Sequence, residues 1–255
     1  MTDEADAAAP PQPAHLPWRP AEILEVIAET PHAVSVVLRV PGWPGHAPGQ
    51  HVDVRLRAED GYEAQRSYSI ASPPERGELV LTIERFDDGE VSPYFTDEAR
   101  AGDQIEVRGP IGGYFVWTAL MKGPLQLVAG GSGIVPLMCM LRHRALAGRH
   151  VAARLLYSSR TWDSTIYAVE LARLAAGDRQ LDVVHALTRG EPPHWTGQRR
   201  RVDAEMLRAF AFPPGDTPRV YVCGPTPFVE TVASTLVTLG HAPARIKTER
   251  FGPTG

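Results

Sequence analysis

The sequence predicts a two-domain chain, an N-terminal antiparallel β-barrel followed by a C-terminal α/β domain with a parallel sheet. Three observations carry that expectation. The first half reads as short strands separated by Gly- and Pro-rich turns, such as PGWPGHAPGQ (41–50) and RGPIGGY (108–114), without long helices between them. After the Gly123-Pro124 break, apolar strands alternate with stretches of helical period, the pattern of a parallel sheet covered on both faces. The 255 residues are enough for two ordinary domains, each with its own core. The expected boundaries are a disordered or loosely attached tail over 1–17, the barrel over 18–122 and the α/β domain over 123–255.

In the first half, EILEVIAET (22–30) and AVSVVLRV (33–40) read as neighbouring strands. HVDVRLR (51–57) alternates strictly, which puts Val52, Val54 and Leu56 on one face. ELVLTIERF (78–86) and DQIEVRG (103–109) are further strands, and FTDEARAG (95–102) reads as one short helix. AQRSYSIAS (64–72) also alternates, but it carries Arg66, Tyr68 and Ser69 within four residues and stops at Pro73-Pro74. It is half of a sheet or a site.

In the second half the strands are LQLVAG (125–130), VAARLLYSS (151–159), LDVVHALT (181–188), RVYVCG (219–224) and RIKTERF (245–251). The helices between them are IVPLMCMLRHRALAG (134–148), IYAVELARLAAG (166–177), DAEMLRAF (203–210) and PFVETVASTLVTLG (227–240).

Composition narrows the function classes. The formal net charge of −4 argues against nucleic acid as the main partner. No apolar run is long enough to insert in a bilayer, and the acidic N-terminus lacks an apolar signal core. Cys139 and Cys223 are the two cysteines, with no C-x-x-C pattern, so neither an iron–sulfur cluster nor a structural zinc site is expected. The nine histidines show no metal-ligand spacing. A reducing cytoplasmic setting and a monomer fit these features.

Three stretches carry chemistry. In LQLVAGGSGIVPLM, an apolar strand runs through Gly130, Gly131, Ser132 and Gly133 straight into a helix. Glycines let backbone amides approach a ligand, and a helix start adds oriented N–H donors, so the turn suits a pyrophosphate. It departs from the G-x-G-x-x-G fingerprint; the plainer alternative is a tight turn with no ligand. RVYVCGPTPFVE repeats the logic, with Cys223 at the carboxyl end of a strand, Thr226 placed to cap the next helix and Pro227 at its first position. A lone cysteine there is equally a small buried residue, and Cys139, among Met138, Met140 and Leu141, reads as core. In RSYS, Arg66 can grip a phosphate, Tyr68 can stack on a flat ring and Ser69 can bond a ring heteroatom. Together they suit a flavin nucleotide, against the alternative of a polar strand edge. In DDGEVSPYF, Gly89, Val91 and Ser92 offer amides and a hydroxyl to a second anion contact.

In order along the chain, RSYS (66–69), GEVS (89–92), GGSGIVP (130–136), YVCGP (221–225) and ERF (249–251) resemble the ferredoxin–NADP reductase superfamily of flavoproteins. The likeness covers nearly all of the chain after the tail and is nearest to the stand-alone reductases of bacterial oxygenase systems. It implies a barrel holding FAD and an α/β domain holding NAD(P)H. Arg66 would bind the FAD pyrophosphate, Tyr68 would pack on the isoalloxazine, and Ser69 would bond the nitrogen that receives hydride. Gly89, Val91 and Ser92 would hold the FAD diphosphate, and Gly130, Gly131, Ser132 and Gly133 the nicotinamide dinucleotide. The family more often has Thr at the position of Ser132. Cys223 and Gly224, followed by Pro225, would flank the nicotinamide. Glu249 would sit by the hydride-transfer site and Phe251 would cover the other flavin face, although four residues, GPTG, follow it here.

HALTRGEPPHWTGQRRRVD (185–203) is similar to the family's T-R…W-x-G…R-(I/V) pattern, with Arg200 where glycine is usual. Thr188 and Arg189 would face the adenosine ribose, with Arg160, Arg199, Arg200 and Arg201 nearby. Such an arginine group suits a 2′-phosphate and hence NADPH over NADH. The alternative is a solvated face, or a dock for an acidic electron acceptor. Ser69, Cys223 and Glu249 are the expected catalytic residues. With no cysteine cluster and an end at Gly255, a fused ferredoxin is not expected. The acceptor would be separate: a ferredoxin, a Rieske-type oxygenase component, a cytochrome P450 partner or a molybdenum oxidoreductase. A free-flavin reductase and a non-catalytic binding module on the same scaffold are the competing readings.

Overall fold

The computed structural model of the chain describes residues 16–58 and 60–252. The expected tail, apart from Leu16 and Pro17, and the last three residues lie outside the described residues.

Six strands form the first sheet: β1 (Trp18–Thr30), β2 (Ala33–Arg39), β3 (His51–Arg57), β4 (Glu63–Ser69), β5 (Leu79–Glu84) and β6 (Gln104–Ile111). Their order is β4-β3-β6-β1-β2-β5, all antiparallel neighbours. A bridge between Ile70 and Leu81 brings the two outer strands together and closes the barrel. Period-2 alternation explains the packing: Val52, Val54, Val36, Leu38, Leu81, Ile83 and Val107 are fully buried in one core.

Two local expectations change, and one reading left open is decided. β1 begins at Trp18, four residues early, because Trp18–Glu22 pairs with β6. AQRSYSIAS contributes a full strand, β4, which pairs with β3 along its whole length. Its polar residues suit that place, since Gln65, Arg66 and Ser67 are exposed while Ala64 is buried. The helix expected over 95–102 is instead a five-residue π-helical turn, Tyr94–Glu98. Ala99 is extended and Gly102 turns at a φ of 98°, which sends the chain into β6.

The second sheet is parallel: β7 (Leu125–Gly130), β8 (Ala153–Thr161), β9 (Leu181–Gly190), β10 (Arg219–Pro225) and β11 (Ile246–Phe251), in the order β11-β10-β7-β8-β9. Between them run α1 (Ile134–Ala147), α2 (Ala168–Ala176), α3 (Ala204–Phe210) and α4 (Thr226–Thr238). All six residues of β7 are buried, as the apolar run requires for a central strand with both faces covered. Leu125, Leu127 and Ala129 enter one core, and Val128 enters the other with Leu156 and Val222. α4 starts at Thr226 with Pro225 as its cap residue and no side-chain cap bond, so Thr226 does not cap it and Pro227 is second. Asp203 does cap α3, accepting from the Met206 amide at 2.8 Å.

The sheets meet along an apolar seam. Ala33, Ala71, Phe115 and Trp117 share a core with Leu125, Leu127, Tyr157, Tyr221 and the inner face of α1. Among the described residues no helix is long and apolar enough to cross a membrane.

Candidate active site

Strand order reverses at β7, with β8 and β9 on one side and β10 and β11 on the other. The carboxyl ends of β7 and β10 therefore border the crevice where parallel α/β sheets bind ligands. Gly130–Gly133 leaves β7 there as a short 3-10 turn into α1, and Cys223–Gly224 ends β10 opposite it.

The glycines have different reasons to be glycine. A Cβ on Gly133 would sit 2.2 Å from the Cys223 carbonyl oxygen, and one on Gly130 would sit 2.9 Å from the Phe228 ring. These two let the loop close onto β10 and α4. Gly131 has a φ of 55°, and a Cβ there would meet only a Glu84 carboxylate oxygen, at 3.9 Å. Gly131, with half-exposed Ser132, is the part that faces open space. The start of the α1 turn leaves its first N–H groups without helical partners.

In the β10–β11 register Cys223 pairs with Glu249 and Pro225 with Phe251. Cys223 is buried, Phe251 packs on the seam core and Pro225 is exposed. Glu249 meets the barrel: its Oε1 lies 3.9 Å from Nδ1 of His51. His51 pairs across β3–β4 with Ser69. Thus Ser69 and His51 of the barrel converge on Glu249 and Cys223 of the parallel sheet.

The electrostatics mark this point. Burial pushes the Glu249 carboxyl up to about 7, and its Oε2 is buried without a hydrogen-bond partner among the described residues. Burial also pushes the Cys223 thiol well up, reinforced by the nearby Glu249 charge, which keeps it a neutral thiol. His51 is held below its ordinary value by burial, against the pull of Asp53. A buried acceptor that the protein leaves unbonded fits a ligand that completes it.

Along β4, Arg66 is exposed and its guanidinium rests on the Gln65 carbonyl at 2.7 Å. Tyr68 is half-buried, edge-on to Phe95 with ring centroids 6.1 Å apart, and burial raises its phenol. Tyr68 thus packs partly on the barrel core and keeps part of its ring accessible. GEVS closes on itself. The Ser92 hydroxyl accepts from the Phe86 amide at 3.0 Å, the Gly89 amide donates to the Phe86 carbonyl at 2.9 Å, and Val91 is fully buried. Tyr62 donates to Glu90 at 2.8 Å and joins the β3–β4 connection to this loop.

At the other end of the crevice, Arg160 and Arg189 are exposed at the carboxyl ends of neighbouring strands β8 and β9. Arg160 lies within β8 rather than after it. The Thr188 hydroxyl bonds the Ser159 carbonyl at 3.3 Å. Arg200 is engaged elsewhere, with Asp203 at 3.1 Å and Glu205 at 3.2 Å at the start of α3. Arg199 pairs with Glu191 at 3.5 Å. The arginine run is therefore partly neutralised, while Arg160 and Arg189 have no ion pair among the described residues.

Two contributors carry no signal in the sequence. His51 reads only as a strand residue, since a lone histidine in an alternating strand has no motif around it. Phe228 seals Gly130 and Gly224, its ring 2.9 Å from where either Cβ would stand.

Comparison with known proteins identifies a nucleotide-binding family for each half of the chain. Residues 38–116 match the family described as oxidoreductase FAD-binding domain, and residues 127–234 the oxidoreductase NAD-binding domain. The chain is 32% identical over 245 residues to the ferredoxin reductase component of the 3-ketosteroid-9-alpha-monooxygenase of Mycobacterium tuberculosis, covering 90% of this chain and 64% of the relative. It is 30% identical over 205 residues to NADH-cytochrome b5 reductase 1 of Aspergillus terreus, covering 77% of this chain and 68% of the relative. The chain thus spans about two thirds of the length of these curated relatives, and less than that of the first. A cytochrome P450 reductase from Amycolatopsis superposes with a TM-score of 0.80 at 25% identity, over 94% of this chain and 72% of that one.

Proposed function

Because the chain belongs to the ferredoxin–NADP reductase superfamily of FAD- and NAD-binding oxidoreductases, we propose that it oxidises a nicotinamide dinucleotide and passes the electrons to a separate acceptor. The observation that carries this reading is the convergence of Ser69 and His51 with Cys223 and Glu249 across the seam. Bound FAD supplies the two-electron acceptance from the dinucleotide and the onward release of electrons. The residues of this chain supply position and polarity. Arg66, which rests on the Gln65 carbonyl, would bind the diphosphate, and backbone amides around Val91 would take a second anion contact. Tyr68 and Phe251 would wall the flavin site, and Ser69 would donate a hydrogen bond to the flavin. Gly131 and Ser132 would present amides to the dinucleotide. Cys223, as a neutral thiol, would pack there without charge. Glu249 holds a proton up to about pH 7 at a place where its second oxygen has no hydrogen-bond partner among the described residues.

NADPH is the favoured dinucleotide in this reading, with Arg189 and Arg160 as the 2′-phosphate contacts. A second reading, NADH, draws on the pairing of Arg199 and Arg200 with acidic neighbours, which removes much of the expected positive field. The match to a monooxygenase ferredoxin reductase component supports an oxygenase-type ferredoxin or Rieske component as acceptor. A cytochrome P450 partner is the next candidate. The test is anaerobic stopped-flow bleaching of the flavin absorbance by NADPH and NADH side by side. Fast bleaching supports the reading, and the ratio of the two rates decides the dinucleotide. A yellow protein that neither reductant bleaches would overturn it.

A further inference from the structure

We propose that Tyr167 is a positioning residue: its hydroxyl, bonded to Thr82, ties the parallel-sheet half to the barrel and sets how Cys223 and Glu249 face Ser69 and His51. The proposal rests on the reductase reading above and adds to it a residue outside the cluster of Ser69, His51, Cys223 and Glu249.

Tyr167 lies between the 3-10 turn Trp162–Ser164 and α2, at φ 61° and ψ 21°. That left-handed conformation is one that bulky residues seldom adopt, so the surroundings hold it there. Its side chain is nearly buried and crosses the seam, where the hydroxyl donates to Thr82 of β5. The bonds continue into the barrel. Thr82 and Ser35 of β2 are 2.7 Å apart, and the Ser35 hydroxyl donates to Glu29 at the end of β1 at 2.6 Å. The Ser35 hydroxyl has one proton and gives it to Glu29, so one order satisfies the whole chain: Tyr167 to Thr82, Thr82 to Ser35, Ser35 to Glu29. A chain of bonds oriented one way polarises each member and resists rearrangement.

The ring of Tyr167 is held as firmly as its hydroxyl. Arg142 of α1 lies over it, 4.7 Å from the centroid, and makes two bonds to Glu170 of α2 at 3.0 and 2.6 Å. The same guanidinium donates to the Ala71 carbonyl at 2.9 Å, two residues beyond Ser69. Helix α1 itself starts from the Gly130–Gly133 turn. One node therefore joins the dinucleotide turn, the strand carrying RSYS, and the start of α2. Apolar contact along the seam supplies adhesion without direction; these bonds supply direction. Transfer between stacked rings needs near-contact geometry, and small misplacements cost large factors in rate.

The test uses the intact flavin-loaded protein and the variants Tyr167→Phe, Thr82→Val, Thr82→Ser and the double Tyr167→Phe/Thr82→Val. Tyr167→Phe removes one oxygen and keeps the ring under Arg142. The expected result is unchanged flavin content and a dinucleotide KM within about twofold, with a bleaching rate constant lowered about tenfold. The long-wavelength charge-transfer absorbance of the reductant complex should weaken in parallel. Amide exchange in residues 79–84 and 165–171, read by mass spectrometry, should rise about tenfold if the tie is lost. Thr82→Val should reproduce these changes, the double variant should be no worse than either single one, and Thr82→Ser should match the wild type. Wild-type bleaching with an undiminished rate in Tyr167→Phe would overturn the proposal, as would additive losses in the double variant. A wild-type protein that is not bleached at all would instead overturn the reductase reading beneath it.

Discussion

Gly133 shows how little room a single position leaves. Its missing Cβ would stand 2.2 Å from the Cys223 carbonyl, a backbone atom that cannot step aside. Gly133→Ala is expected to separate the β7–α1 turn from β10 and lower stability by about 1–3 kcal/mol, read as a shift in urea midpoint and weaker dinucleotide binding. Glu249 tells of charge rather than space. Its folded pKa, about 7, lies above the ordinary 4.5, so the folded chain keeps a proton that the unfolded chain has lost. Stability from this residue is therefore greatest below pH 4.5, declines as the pH rises to about 7 and is level beyond. The span is at most about 3 kcal/mol, less whatever solvent reaches the carboxyl. Urea unfolding at pH 5 and pH 8 should show wild type losing stability relative to Glu249→Gln; equal pH dependence in both would refute the assignment.

At the scale of elements, the edges of β8 and β9 and the helix α1 carry separate predictions. Arg189 stands free of ion pairs among the described residues, whereas Arg200 is held by Asp203 and Glu205. Arg189→Ala should raise the NADPH KM roughly tenfold to a hundredfold and leave NADH nearly unchanged, the size of one charge-assisted contact. Arg200→Ala should do far less, because its charge is already answered. Steady-state KM for both dinucleotides decides it, and equal losses for NADPH and NADH would rule out a 2′-phosphate contact. Helix α1 is gripped from two sides. Cys139 and Arg142 donate to the carbonyls of Ser72 and Ala71. Arg144, 1% exposed, pairs with Asp178 at 2.7 Å and donates to the Val151 carbonyl at 2.6 Å. Arg144→Met should cost about 3–5 kcal/mol, since it strands a largely buried Asp178 and several carbonyls. The urea midpoint measures that loss.

For the whole molecule, the seam decides whether the halves act as one. Ala33, Ala71, Phe115 and Trp117 from the first 122 residues complete a core whose other buried members come from the parallel sheet, α1, α2 and the segments before β8 and α2. Tyr221 reaches back to the Val116 carbonyl at 2.7 Å, and His143 meets Glu75 at 2.5 Å. The intact chain is expected to unfold in one transition, by far-UV circular dichroism and by tryptophan fluorescence alike. Residues 18–122 and 123–255 expressed separately should each unfold at a lower temperature than the whole. Independent transitions at unchanged temperatures would show that the seam adds nothing.

Much of this was legible in the residues themselves. Alternation identified the barrel strands, and strand–helix alternation identified the parallel sheet, because those periods follow from local backbone geometry. RSYS, GGSG and CGP drew attention because they gather glycine, cation and hydroxyl in short runs, each with a plainer structural reading beside it. Local sequence was silent wherever the reason lay across the fold. The π-helical turn at 94–98 depends on how the chain enters β6, and β4 reads as a strand only once β3 pairs with it. The arginine run 199–201 looked like one positive field, yet acids on α3 and the β9 loop absorb part of it. His51, Phe228 and Tyr167 have no motif, and their parts follow from neighbours far away in sequence. Periodicity thus determined the two sheets and the order of most elements, and the short motifs supplied the family resemblance. Which side chains meet at Glu249, which arginines are paired with acids and which residues line the seam are matters of long-range contact, and only the tertiary structure decided them.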